Sequence, residues 1–178
     1  MPAILILPEA LLAACERTAV HPTSLILTIS VADQSLSLFE DQKLSRTVPC
    51  STSRFGIGQR EGSNCTPLGL HRIREKIGAG FPAGTVFRAR QNVGHTSQPG
   101  FADAKITTRI LWLEGLEPGR NQGGNVDSHQ RYIYIHGTAN QNTIGHPSSC
   151  GCIHLSDAEL IPLFDRLPAG TLVWIDAN

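Results

Sequence analysis

The sequence has no excess of either charge: fifteen Lys and Arg stand against fifteen Asp and Glu in 178 residues. A general nucleic-acid or membrane-surface binder needs a basic surplus, so neither partner is expected. No apolar run reaches the roughly 18 residues that would span a bilayer. The apolar opening MPAILILPEALLAACERT has no Lys or Arg before Arg17 and is interrupted by Glu9. A secretory leader opens with positive charge and keeps its centre uncharged. The expectation is therefore a cytoplasmic protein, or a periplasmic one if a leader has been trimmed away. Five cysteines cannot complete a disulfide framework, which suits a reducing compartment. Internal repeats, low-complexity tracts and linkers are also missing. One domain over residues 1–178 is expected, with 1–24 as an N-terminal helical extension.

What is present points to a strand-rich fold. Hydrophobic residues make up 40% of the chain, enough for a core, and seventeen Gly and eleven Pro supply turns. After a short leader, residues 9–19 carry helix formers with Leu11, Leu12 and Cys15 at helical spacing, and His21-Pro22 is read as the stop. LILTISV, SLSLFE and LSRTVPCS follow as a three-stranded meander, with Leu36 and Leu38 on one face. Thr66-Pro67-Leu68-Gly69 turns into the strand LHRIREKI. TVFRAR reads as another strand, residues 91–104 as a polar loop and ITTRILWLEGL as a further strand. Residues 115–130 form a long Gly-rich loop, of the kind that serves as a lid or is mobile. RYIYIHG is a strand with Tyr132, Tyr134 and His136 on one face. Ser156 and Glu159 have capping-box spacing and open the helix DAELIPLFDRL, and TLVWID closes the chain as a strand.

Chemistry concentrates in IHGTANQNTIGHPSSCGCIHL, residues 135–155, which holds three of the seven histidines and two of the five cysteines. A thiol and an imidazole on neighbouring segments are the minimum parts of a cysteine nucleophile with its base. Cys152 is the candidate nucleophile and His136 the candidate base. A free thiol has a pKa of ~8.5 and becomes nucleophilic when its surroundings favour the thiolate. Gly151 permits close approach of substrate, and the Gly151 and Cys152 amides are candidate oxyanion donors. Cys150, Cys152 and His154 would share one face if extended. That leaves open a zinc or redox module built on Cys150, Cys152 and a histidine. A single residue between the cysteines is, however, shorter than the usual zinc spacing. Ser149, Cys150, His154 and Tyr134 are candidate substrate contacts, and Arg88 a candidate receptor for substrate carboxylates.

The order of Thr-Pro-Leu-Gly, Ile-His-Gly-Thr, Ser-x-Gly-Cys-Ile-x-Leu, capped helix and final strand resembles the L,D-transpeptidase catalytic domain, the YkuD-like family, from about Leu25 to Ile175. The resemblance implies a mainly β fold, two packed mixed sheets with few helices, one of them after the nucleophile segment. It implies cysteine-dependent acyl transfer on peptidoglycan stem peptides or muropeptides, cleaving before the terminal D-alanine, with no metal or organic cofactor. It also implies that the carbonyl of Gly137 orients His136; Asp157 and Asp127 are weaker alternatives. A cytoplasmic chain cannot crosslink a wall, so an L,D-carboxypeptidase in murein recycling is favoured over a transpeptidase. Two positions depart from the family pattern. Cys150 stands where histidine is usual, and His154 where arginine or asparagine is usual.

Overall fold

The structure, a computed structural model, describes residues 7–178. Most of the apolar leader expected at the start lies outside these residues. Helix α1 (Glu9–Thr18) begins after Pro8 and buries Leu11, Ala14 and Cys15, one stripe at helical spacing. It ends earlier than the His21-Pro22 stop. Ala19 adopts the left-handed conformation, and the Val20 N–H returns to the Cys15 carbonyl at 2.9 Å. This backbone closure satisfies carbonyls that the helix end would otherwise leave unpaired.

Ten strands and a second helix follow. The strands are β1 (Leu25–Ser30), β2 (Ser35–Glu40), β3 (Lys43–Pro49), β4 (Gly69–Ile77), β5 (Thr85–Arg88), β6 (Gln91–His95), β7 (Thr107–Gly115), β8 (Tyr134–Gly137), β9 (Ile153–Leu155) and β10 (Leu172–Asp176). Helix α2 (Asp157–Arg166) lies between β9 and β10. The fold is thus mainly β with a helix directly after the segment that carries Cys152. Strand β6 falls inside the stretch read as a polar loop. Its alternation is weak because four of its five residues are polar or glycine, and it pairs with β5 through a turn at Ala89 and Arg90, both at positive φ.

The strands join in one sheet of order β3-β2-β1-β10-β4-β7-β5-β6, with β8 on β7 and β9 on β8. Strand β7 is the branch point. Ile110 pairs with Ile77 of β4 and with His136 of β8, so those neighbours occupy its two edges. Beyond Ser51 the sheet meets itself again. Ser51 and His154 exchange two backbone hydrogen bonds, at 2.8 and 3.0 Å, which links the end of the meander to β9. The two packed sheets expected from the resemblance are therefore two halves of one curled sheet. The halves face each other because each strand has alternate apolar faces. Leu27 and Ile29 of β1, Leu36 and Leu38 of β2, Leu111 and Leu113 of β7, and Val173 and Ile175 of β10 share the main core with Leu160, Leu163 and Phe164 of α2. The opposite-facing Ile26, Phe39, Leu70, Leu172 and Trp174 form a second core, roofed by Leu11 and Cys15 of α1.

Residues 115–130 are stitched to β4. Glu117 accepts from the Leu70 N–H at 2.7 Å, and the fully buried Asn121 donates to the Leu68 and Leu70 carbonyls, each at 3.1 Å. Ser128 meets buried His71 at 2.9 Å. Polar side chains that satisfy backbone groups in this way hold a loop against its sheet.

Candidate active site

Strands β8 and β9 run parallel and in register, Ile135 with Ile153, His136 with His154 and Gly137 with Leu155. The isoleucines enter the main core, which turns both histidines to the other side. Their rings lie 4.6 Å apart. His136 is buried, and its Nδ1 is 2.7 Å from the Gly137 carbonyl oxygen. A carbonyl only accepts, so Nδ1 carries the proton and the neutral ring keeps its lone pair on Nε2. The orienting acceptor is the one the resemblance implied. Asp157 instead accepts from the Thr108 hydroxyl at 2.6 Å, and Asp127 accepts backbone N–H groups of its own loop. Gly137 has no room for a side chain: a Cβ would lie 2.8 Å from an Asp157 carboxylate oxygen.

Cys152 sits on the turn that leads into β9. Its thiol donates to the Tyr132 carbonyl at 3.3 Å and accepts from the Tyr134 N–H at 3.4 Å. The thiol is packed against the buried cluster of Phe87, Ile110, Trp112 and Tyr134. Burial pushes it up to about 11; the Tyr134 N–H and the Arg131 charge pull the other way. Burial, with the His154 ring second, takes His136 down to about 3, and burial takes His154 down to about 4. At neutral pH the site is thus a thiol and two uncharged imidazoles.

The turn that carries Cys152 is held from both sides. Gly151 has φ +117°, a conformation that favours glycine. Its carbonyl accepts from Thr66 Oγ1 at 3.1 Å, so the Thr-Pro-Leu-Gly signature is a clamp on the turn that carries Cys152. The Gly151 N–H is taken by Ser149 Oγ at 3.2 Å, and that hydroxyl donates to the Cys152 carbonyl at 2.5 Å. The expected oxyanion role of Gly151 is therefore corrected: its donor is occupied, and the Cys152 N–H is the one left without a partner among the described residues. Ser149, expected to contact substrate, braces the turn, although it also lines the cleft. Arg131 donates to the Gly58, Gln59 and Cys65 carbonyls at 3.2, 2.9 and 2.7 Å, which fixes the segment behind the turn.

Cys152, His136, His154, Ser149 and Cys150 line one cleft of roughly 300 Å³, joined by Arg54, Lys105 and Thr138. A family model for the L,D-transpeptidase catalytic domain matches residues 24–175. The chain belongs to that family. Among curated protein sequences none matches it significantly. Solved structures share its fold. An L,D-transpeptidase from Mycobacterium smegmatis is 16% identical, with a TM-score of 0.51, over 86% of this chain and 59% of that one. A variant of the Enterococcus faecium L,D-transpeptidase is 13% identical, with a TM-score of 0.54, over 87% of this chain and 50% of that one. A Bdellovibrio bacteriovorus protein reaches a TM-score of 0.57 at 14% identity, over 98% of this chain and 52% of that one. The chain spans no more than about three-fifths of these three relatives.

Within this L,D-transpeptidase-type cleft, two expected contacts move. Tyr134 is buried against Cys152 and Trp112 and does not line the cleft; its hydroxyl accepts from Arg90 at 3.4 Å. The β5–β6 turn reverses the chain at Ala89–Arg90, so Arg88 stacks on Phe101 in a neighbouring cleft, 5.4 Å from the ring centroid. The single face proposed for Cys150, Cys152 and His154 is broken at Gly151; Cys150 is exposed and still lines the cleft. Among the described residues no group of three or more His, Cys, Asp or Glu side chains is placed to hold a metal ion. No described helix is long and apolar enough to cross a membrane. Thr66, Arg131, Arg54 and Lys105 are the site residues that the sequence reading missed. Only Thr66 carried a signal, its place in the family signature.

Proposed function

We propose that the protein is a cysteine acyltransferase acting on peptidoglycan stem tetrapeptides, with Cys152 as nucleophile and His136 as base. The observation that carries this reading is the His136 Nδ1–H held on the Gly137 carbonyl, which leaves Nε2 free to take a proton in the cleft that Cys152 lines. The Cys152 sulfur attacks the carbonyl before the terminal D-alanine while His136 Nε2 takes the thiol proton. The Cys152 N–H donates to the oxyanion. Collapse breaks the amide C–N bond, and the departing D-alanine amine takes the proton from His136. The thioester then passes to an acceptor. We take that acceptor to be water, which makes the protein an L,D-carboxypeptidase. His154, a second neutral imidazole in the same cleft, supports this by offering a place for the water proton.

The test is turnover of a defined tetrapeptide with and without D-methionine. Release of tripeptide alone, abolished in Cys152→Ala, is the expected result. Efficient D-methionine exchange overturns water as the acceptor and leaves the transpeptidase. Absence of both products, together with no covalent carbapenem adduct on Cys152, overturns the acyltransferase reading.

A further inference from the structure

Two cations in the Cys152 cleft have no carboxylate partner. Arg17, Arg46, Arg72, Arg74, Arg120 and Arg166 each pair with a glutamate. Arg54 and Lys105 line the cleft and form no salt bridge among the described residues. Asp103 is the single carboxylate on the cleft wall, and His136 and His154 are neutral there. An electrically balanced chain thus concentrates a positive potential at its candidate nucleophile. Both cations are anchored to the site. The Arg54 N–H donates to the Ser149 carbonyl at 3.1 Å, which ties it to the turn carrying Cys152. Its guanidinium lies 4.9 Å from the Phe55 ring centroid, a stack that limits the side chain's freedom and leaves its edge donors open. Lys105 adjoins Ile106, which packs in the same cluster as Cys152.

We propose that Arg54 and Lys105 form a carboxylate-binding subsite of the cleft that takes the free terminal carboxylate of the acyl-donor peptide. A planar guanidinium matches a carboxylate in two-pronged fashion, and an ammonium adds a point charge. The subsite replaces the candidate that sequence alone favoured, Arg88. It rests on the reading of Cys152 as nucleophile, but not on the identity of the peptide.

The experiment alkylates the protein with iodoacetate and, separately, iodoacetamide, and reads the rate at Cys152 by peptide mass. The two reagents differ by a carboxylate against a neutral amide. In the native protein iodoacetate gains relative to iodoacetamide. In the Arg54→Ala, Lys105→Ala double variant that ratio falls at least fivefold, and the ratio cancels any change in thiolate fraction common to both reagents. Arg54→Lys retains most of the ratio. An unchanged ratio in the double variant overturns the subsite, as does an equal loss of both rates. A second arm compares a tetrapeptide with its C-terminal amide: Arg54→Ala raises KM for the acid and leaves the amide unchanged. If neither peptide turns over but the alkylation ratio depends on Arg54 and Lys105, the subsite stands and the proposed function falls.

Discussion

At the scale of single residues the site depends on backbone conformation as much as on side-chain chemistry. Gly151 is the clearest case. A methyl there would sit 3.2 Å from the Cys65 carbonyl oxygen and 3.5 Å from Ile133 Cδ1, at φ +117°. Strain of this kind costs about 1–3 kcal/mol, and relief would rotate the turn that aims Cys152. Gly151→Ala is expected to lower the urea midpoint and to slow carbapenem acylation of Cys152 by about tenfold or more, since small misplacements of a nucleophile have large kinetic effects. Acylation at the native rate would show that the φ of this glycine does not position the thiol. The sequence made Cys152 and His136 legible because each sits in a short motif, and the resemblance supplied the Gly137 carbonyl. Thr66 Oγ1 on the Gly151 carbonyl and Arg131 behind the turn join residues far apart in the chain, and no local pattern reports such pairs.

At the scale of elements, the start of α2 is tied to the branch in β7. The Ser156–Glu159 spacing suggested a capping box, yet Ser156 makes no side-chain cap bond and Glu159 pairs with Arg46. The first-turn N–H of Asp157 is met by Gln141 at 3.2 Å, and the Asp157 carboxylate accepts from Thr108. Thr108 lies at φ 71°, within the irregularity between Thr107 and Ile110, and its oxygen also accepts from the Gly84 N–H at 2.9 Å. That positive φ at a β-branched residue is unfavourable by itself. Asp157→Ala removes the acceptor of a buried hydroxyl and is expected to cost about 1–3 kcal/mol in urea unfolding. A change below a few tenths would mean that the branch holds without the helix. Helix and strand positions were readable from periodicity because apolar faces repeat. The branch, the missed β6 and the substitute cap were not, because each depends on which distant segment supplies the partner.

For the whole molecule, two buried imidazoles and a half-buried one set the response to acid. His71, His136 and His154 stand at about 4, 3 and 4 against an ordinary 6.5, in each case chiefly through burial. Between 6.5 and about 4 the unfolded chain binds these protons and the folded chain does not. Their neutral burial is therefore tolerated fully above 6.5, and stability is lost as pH falls below it. Each contributes a slope of up to about 1.4 kcal/mol per pH unit in that window. The urea midpoint should drop clearly between pH 7 and pH 5, and His71→Gln should flatten the profile. An unchanged midpoint over that range would show that these rings protonate in the folded state.

Strand β10, formed by residues 172–176, lies between β1 and β4 in the middle of the sheet, paired in parallel with β1 and antiparallel with β4. The first strand of the sheet thus waits for the last. The meander that braces β9 through Ser51 cannot dock on its neighbour until nearly all of the described chain has left the ribosome. Contacts of such long sequence separation slow folding. A nascent chain would keep its first three strands apart from β4 until that strand is laid in.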